Sequence, residues 1–133
     1  INKYNLKQKL KGSYNSIAFT FKSTNPAYSY LLKDKTGLII DAVEKRVVSN
    51  SALTGAYLFK SIDFYNSVYK KTFLLKSNDE KYMSNILSKV IKLDPSNFLE
   101  CDLIDNISLG TPREFKDATK FDKTPKWFLD GRF

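Results

Sequence analysis

Glu44 and Lys45 stand side by side, and Ser49, Ala52, Thr54, Gly55 and Tyr57 follow shortly after them. A carboxylate accepts hydroxyl or amine hydrogen bonds, and an adjacent ammonium meets an anion as a compact point charge. Side by side, the two can hold a small ligand that carries donors at one place and negative charge at another. As a bare dipeptide, Glu-Lys is also what the end of a surface strand usually carries, so its meaning depends on its surroundings. Gly55 lies within an apolar run, where glycine weakens a strand unless a ligand, a bulge or a closely packed helix occupies the space. Tyr57 alternates with Gly55 and shares its strand face, so its hydroxyl can reach a ligand there or its ring can be core. Ser29, in Pro26-Ala27-Tyr28-Ser29-Tyr30, and Glu80, in Ser77-Asn78-Asp79-Glu80, are two further polar candidates. Ser77 and Glu80 have the spacing of a capping box, which accounts for Glu80 without any ligand.

Other chemistries are excluded by composition. The chain has no histidine and one cysteine, Cys101. That removes Ser-His-Asp and Cys-His catalysis, an internal disulfide and a cysteine-cluster metal site from these residues. Lysine and arginine together number 22 against 14 acidic residues, a formal net charge of +8. The lysines are dispersed, arginine occurs only at Arg46, Arg113 and Arg132, and no RNA-reading aromatic motif appears, which argues against a nucleic-acid partner. The apolar stretches Leu38-Ile39-Ile40 and 53–59 are too short to span a bilayer, and no signal peptide is visible. The expectation is a cytoplasmic chain with no membrane partner, whose start at Ile1 rather than Met marks a trimmed terminus.

At 133 residues there is room for a single domain, given the roughly 100–200 residues a domain takes. A hydrophobic fraction of 42% and an aromatic fraction of 14% suffice for a packed core. The pattern predicts a short helix over 2–10 ending at Gly12, then a buried strand over 17–21 stopped by Ser23-Thr24-Asn25-Pro26. Strands over 28–32 and 38–43 flank Lys33-Asp34-Lys35-Thr36-Gly37 as a hairpin. A mostly apolar, central strand is expected over 52–59. Ile62, Tyr65, Val68, Tyr69 and Phe73 keep a helical rhythm, and Met83, Ile86, Leu87, Val90 and Ile91 form a second apolar stripe ended by Asp94-Pro95. A strand over 97–104 and a helix opened by Thr111-Pro112-Arg113-Glu114 complete the order, with 121–133 an irregular tail that carries Trp127. Strands and helices interleave, which predicts an α/β fold with a mixed sheet and helices on its faces.

The series Glu44-Lys45, Ser49, Ala52, Thr54-Gly55-x-Tyr57 and Gly110-Thr111-Pro112 resembles the sugar-phosphate (NDP-sugar) nucleotidyltransferases. The resemblance runs over about 16–120 and corresponds to the second half of that family's catalytic domain, a Rossmann-like fold. It implies transfer of a nucleoside monophosphate from an NTP to a sugar phosphate or similar small phosphorylated metabolite, with release of pyrophosphate. It further implies that Glu44, Lys45, Thr54, Gly55, Tyr57, Ser29 and Glu80 line the acceptor-substrate pocket. The intact enzyme would use Mg²⁺ for a product such as a surface glycan. Three family features are missing here: the glycine-rich NTP loop, the first metal aspartate at the end of an early strand, and the metal-binding Asp of Asp-x-Gly-Thr-Pro, whose position is Ser108, with Asp102 and Asp105 nearby but out of register. The chain alone is therefore expected to be inactive, with a sheet edge left open to self-association. The alternative is a non-catalytic binding or interaction module that kept the fold and lacks the NTP-binding half.

Overall fold

The computed structural model describes residues 10–74, 80–103 and 108–120. The helix expected over 2–10 and the tail over 121–133 lie outside the described residues, apart from Leu10. Five strands form one mixed sheet in the order β3-β2-β4-β1-β5. They are β1 (Ser16–Lys22), β2 (Tyr30–Lys33), β3 (Ile39–Val43), β4 (Ser51–Phe59) and β5 (Phe98–Asp102). Strand β4 is central, as its apolar composition predicts. It pairs antiparallel with both β1 and β2, while β1 and β5 run parallel.

The β2–β3 hairpin is closed by Asp34, whose Oδ1 accepts from the Thr36 N–H (2.8 Å), the Thr36 hydroxyl (2.6 Å) and the Leu38 N–H (3.0 Å). Gly37 completes the turn at φ +87°, a conformation that L side chains rarely adopt. The hairpin read from the polar loop 33–37 is thus present, and Asp34 is the side chain that closes it.

Among the described residues, α1 (Ile62–Phe73) and α2 (Met83–Leu93) lie between β4 and β5, and α3 (Pro112–Lys120) follows β5. Ser61 caps α1 by accepting from the Phe64 N–H at 3.1 Å. Helix α3 opens with the expected reciprocal capping box. Glu114 Oε2 accepts from the Thr111 N–H at 2.9 Å, and Thr111 Oγ1 accepts from the Glu114 N–H at 3.2 Å. Helix α2 departs from its expected start. It begins at Met83 with Tyr82 as an uncapped N-cap residue, so Glu80 is not part of a capping box at this helix start. Ser77 to Asp79 lie outside the described residues. At the far end Asp94 turns the chain into the 3₁₀ segment Pro95–Asn97, accepting from Ser96 Oγ and Asn97 Nδ2, both at 2.7 Å.

One face of the sheet supplies Ala18, Leu31, Leu53 and Phe98 to a core completed by Val68 and Phe73 of α1 and Ile86, Leu87, Val90 and Ile91 of α2. The alternate positions Ile17, Tyr30, Ala52 and Cys101 point the other way and are also buried. Among the described residues β3 and β5 are the edge strands. No described helix is long and apolar enough to cross a membrane.

Candidate functional site

The candidate site forms where the short β2–β3 hairpin ends and β4 continues past it. Tyr30 pairs with Val43 in the hairpin register, so the next step outward brings Ser29 opposite Glu44. Ser29 Oγ donates to Glu44 Oε2 at 2.5 Å. The same oxygen accepts from Ser84 Oγ of α2 at 2.6 Å. Tyr57, on β4, packs partly buried against the core, and its burial, with the negative charge of Glu44, pushes the phenol up to about 12. The Tyr57 hydroxyl therefore stays protonated at neutral pH and can act as a donor.

Lys45 departs from the regular backbone at φ 48°. A non-glycine residue in the left-handed region costs on the order of 1 kcal/mol, and such strain concentrates at functional positions. Its ammonium does not pair with Glu44. It reaches the start of α2, where Lys45 Nζ donates to Tyr82 Oη at 3.2 Å and lies 4.9 Å from the centroid of the same ring. Tyr82 Oη in turn donates to Glu80. The Tyr82 hydrogen bond, aided by the negative charges of Glu80 and Glu44, holds the Lys45 ammonium above the usual lysine range. Lys45 is exposed, but its head is gripped rather than splayed into solvent.

The remaining candidates divide by what holds them. Thr54, Gly55 and Ala56 of β4 face the single residue Phe19 of β1, since Leu53 pairs with Thr20 and Tyr57 with Ala18. This is a β-bulge, and Gly55 sits in it at φ +92°. A Cβ added at Gly55 would meet nothing within 4 Å, which excludes close helix packing as the reason for this glycine. Thr54 Oγ1 donates to the Phe19 carbonyl at 3.0 Å and ties the bulge to β1. Ser49 is likewise occupied, donating to the Leu31 carbonyl at 2.6 Å, and Ala52 is core.

Ser84 and Tyr82 were missed in reading the sequence. Ser84 falls in register with Leu87 and Ile91, so a hydroxyl stands on the buried stripe of α2, and it is buried. A polar residue on an apolar helix face needs a partner, and that was the available signal. Tyr82 gave none, because only the fold brings it to Lys45.

The described residues hold no grouping of three or more His, Cys, Asp or Glu able to bind a metal ion. Ser108 supplies a hydroxyl in place of a carboxylate, Asp102 pairs with Lys22 at 3.5 Å, and Asp105 lies outside the described residues. This donor set does not fit Mg²⁺. What the arrangement offers chemically is a carboxylate oriented by two hydroxyls and, beside it in sequence, an ammonium held by a tyrosine hydroxyl.

No protein-family model and no curated protein sequence matches the chain significantly. Solved structures do. A nucleoside-diphosphate-sugar pyrophosphorylase of Vibrio cholerae RC9 superposes with a TM-score of 0.65 at 18% identity, covering 80% of this chain and 47% of its own. A candidate glucose-1-phosphate thymidylyltransferase of Bacillus anthracis, in complex with sucrose, gives 0.67 at 16% identity, covering 92% of this chain and 49% of its own. The chain thus spans about half the length of the structures it matches, and it shares their mixed α/β fold.

Proposed function

We propose that this chain is the acceptor-substrate half of a sugar nucleotidyltransferase. It would hold a sugar phosphate, or a similar small phosphorylated metabolite, while an NTP is attacked at its α-phosphate and pyrophosphate leaves. The observation that carries the reading is the convergence of Ser29 and Ser84 on the Glu44 carboxylate, with the ammonium of the adjacent Lys45 held by Tyr82 at the start of α2. Both serines donate to Glu44 Oε2, which leaves Oε1 for a ligand hydroxyl. The Lys45 ammonium is placed for the phosphate, and the bulge at Gly55 leaves open space beside β4. The names borne by the two structural neighbours agree with this assignment. Phosphoryl-group chemistry of this kind depends on positioning and charge neutralisation rather than on a covalent catalyst, so the lack of histidine is no obstacle. The triphosphate cradle and any Mg²⁺ carboxylates must come from residues other than those described. The site is expected to work in the cytoplasm.

A second reading, a binding module without catalysis, is favoured by Ser108, which stands where the resembled motif has its metal-binding aspartate. Titration of the chain with glucose 1-phosphate, followed by amide NMR, tests the site common to both readings. The expected result is selective shifts at Glu44, Lys45 and Tyr57. Lys45→Ala should weaken binding by roughly 10- to 100-fold, the equivalent of about 1.5–3 kcal/mol for a hydrogen bond to a charged group. Absence of shifts at these residues overturns the assignment. With NTP, glucose 1-phosphate and Mg²⁺ the chain alone should release no pyrophosphate. Release that Glu44→Ala abolishes would show that it catalyses unaided. The coding sequence upstream of Ile1 separates enzyme from module: a glycine-rich basic loop supports the first reading.

A further inference from the structure

We infer that Tyr82 is a positioning residue that presents Lys45 to the phosphate of the bound ligand, so that the start of α2 acts as a two-point clamp on the Glu44-Lys45 pair. This rests on the acceptor-site reading above. Tyr82 and Ser84 are two residues apart, one at the N-cap and one in the first turn of α2. Ser84 Oγ fixes Glu44 at 2.6 Å, and Tyr82 Oη fixes Lys45 at 3.2 Å. One short segment thereby sets both members of the pair, and Ile86 and Leu87 immediately beyond it anchor that segment in the core.

The Tyr82 side chain makes no capping bond to its own helix, so holding Lys45 is its described role. Its hydroxyl donates to Glu80 and accepts from Lys45, a chain in which each bond polarises the next. The ring also lies under the ammonium, 4.9 Å from centroid to Nζ, which adds a cation–π attraction. An ammonium has three donors; one goes to Tyr82 and two remain for phosphate oxygens. The left-handed backbone at Lys45 fits the same picture, since φ 48° takes the chain out of the strand just where the side chain must leave Glu44 for Tyr82. A ligand with a hydroxyl and a phosphate on one scaffold gains from both grips, whereas inorganic phosphate gains from one.

The test uses the whole chain, with glucose 1-phosphate and inorganic phosphate as probes and NMR as readout. Tyr82→Phe keeps the ring and loses the hydroxyl, and should weaken glucose 1-phosphate binding about 3-fold. Tyr82→Leu loses both and should weaken it about 10-fold, approaching Lys45→Ala. The ring-current shift of the Lys45 ε-methylene protons should persist in Tyr82→Phe and vanish in Tyr82→Leu, a signature that a general structural role would not give. Preference for glucose 1-phosphate over inorganic phosphate should fall in Tyr82→Leu. If Lys45→Ala weakens binding while both Tyr82 variants stay within about twofold of wild type, the clamp is wrong and the acceptor site stands. If wild type does not bind, or Lys45→Ala has no effect, the acceptor reading fails and the clamp with it.

Discussion

Two clusters in this chain use the same residue types to opposite ends. At the far end of the helix-facing side of the sheet, Glu100 of β5 accepts from Thr20 Oγ1 of β1 at 2.7 Å and forms an ion pair with Lys33 of β2. Lys33 Nζ also donates to Ser51 Oγ of β4 at 3.1 Å. At the hairpin end, Glu44 accepts from Ser29 and Ser84, and Lys45 turns away to Tyr82. Each cluster contains a glutamate and a lysine, with two hydroxyls in the first and three in the second. In the first the charges cancel directly across four strands, with the Lys33 and Glu100 side chains only 29% and 16% exposed. In the second, among the described residues, neither Glu44 nor Lys45 enters an ion pair. The first arrangement is a staple; in the second, among the described residues, the two charges are met by hydroxyls instead of by each other. Residue type does not separate the two roles. What separates them is whether the opposite charges are aimed at each other.

The comparison can be broken most severely through the helix that serves only the second cluster. Leu87 of α2 is fully buried, and Leu87→Ala should cost on the order of 2–5 kcal/mol in chemical denaturation. A loss below about half a kcal/mol would mean that α2 is not held by this core, leaving Ser84 and Tyr82 without a rigid base.

Next in size is the staple itself. Burial pushes the Glu100 carboxyl up, but hydrogen bonds from Lys33, Thr20 and Ser51, with the charge of Lys33, outweigh it and hold the group below the ordinary glutamate range. A carboxyl whose folded pKa is depressed contributes stability that is present above its unfolded value, about 4.3, and fades as pH falls through the lower folded value. Glu100→Gln should therefore cost on the order of 1–2 kcal/mol at pH 7, between an exposed and a fully buried pair. It should also flatten the acid limb of a stability-versus-pH curve below about pH 4. An unchanged acid limb would show that Glu100 is not the stapling group.

The smallest effect on stability, and the sharpest contrast, belongs to Lys45. Lys45→Gly relieves the left-handed strain of about 1 kcal/mol and loses a similar amount to unfolded-chain entropy. Stability should stay within about half a kcal/mol of wild type while glucose 1-phosphate binding weakens by the roughly 10- to 100-fold expected of Lys45→Ala. A large loss of stability would make Lys45 a second structural lysine and erase the distinction from Lys33.

Most of the frame was legible because it follows from local periodicity and turn chemistry. Short apolar runs marked β1 and β4, the 3.6-residue stripe marked α2, the polar loop ending in Gly37 marked the hairpin, and Thr111 with Glu114 marked the start of α3. Ser29 and Glu44 could be paired once the hairpin register was known, since adjacent antiparallel strands fix their neighbours. The start of α2 was misread because Ser77 and Glu80 have capping spacing, yet the helix begins at Met83 with Tyr82 extended. Spacing states what a side chain can do for its own backbone. It does not state which backbone will turn.

The sequence by itself determined an α/β chain with a central apolar strand, the absence of histidine and cysteine-cluster chemistry, and Glu44-Lys45 as its most informative polar pair. Only the tertiary structure decided that Glu44 is oriented by Ser84, that Lys45 is gripped by Tyr82 instead of by its neighbour, and that Thr54 is spent on a bulge. The reason is physical. Local patterns act through the backbone over a few residues, whereas hydroxyls 40 and 37 positions away reach Glu44 and Lys45 only after the core has packed α2 against β3.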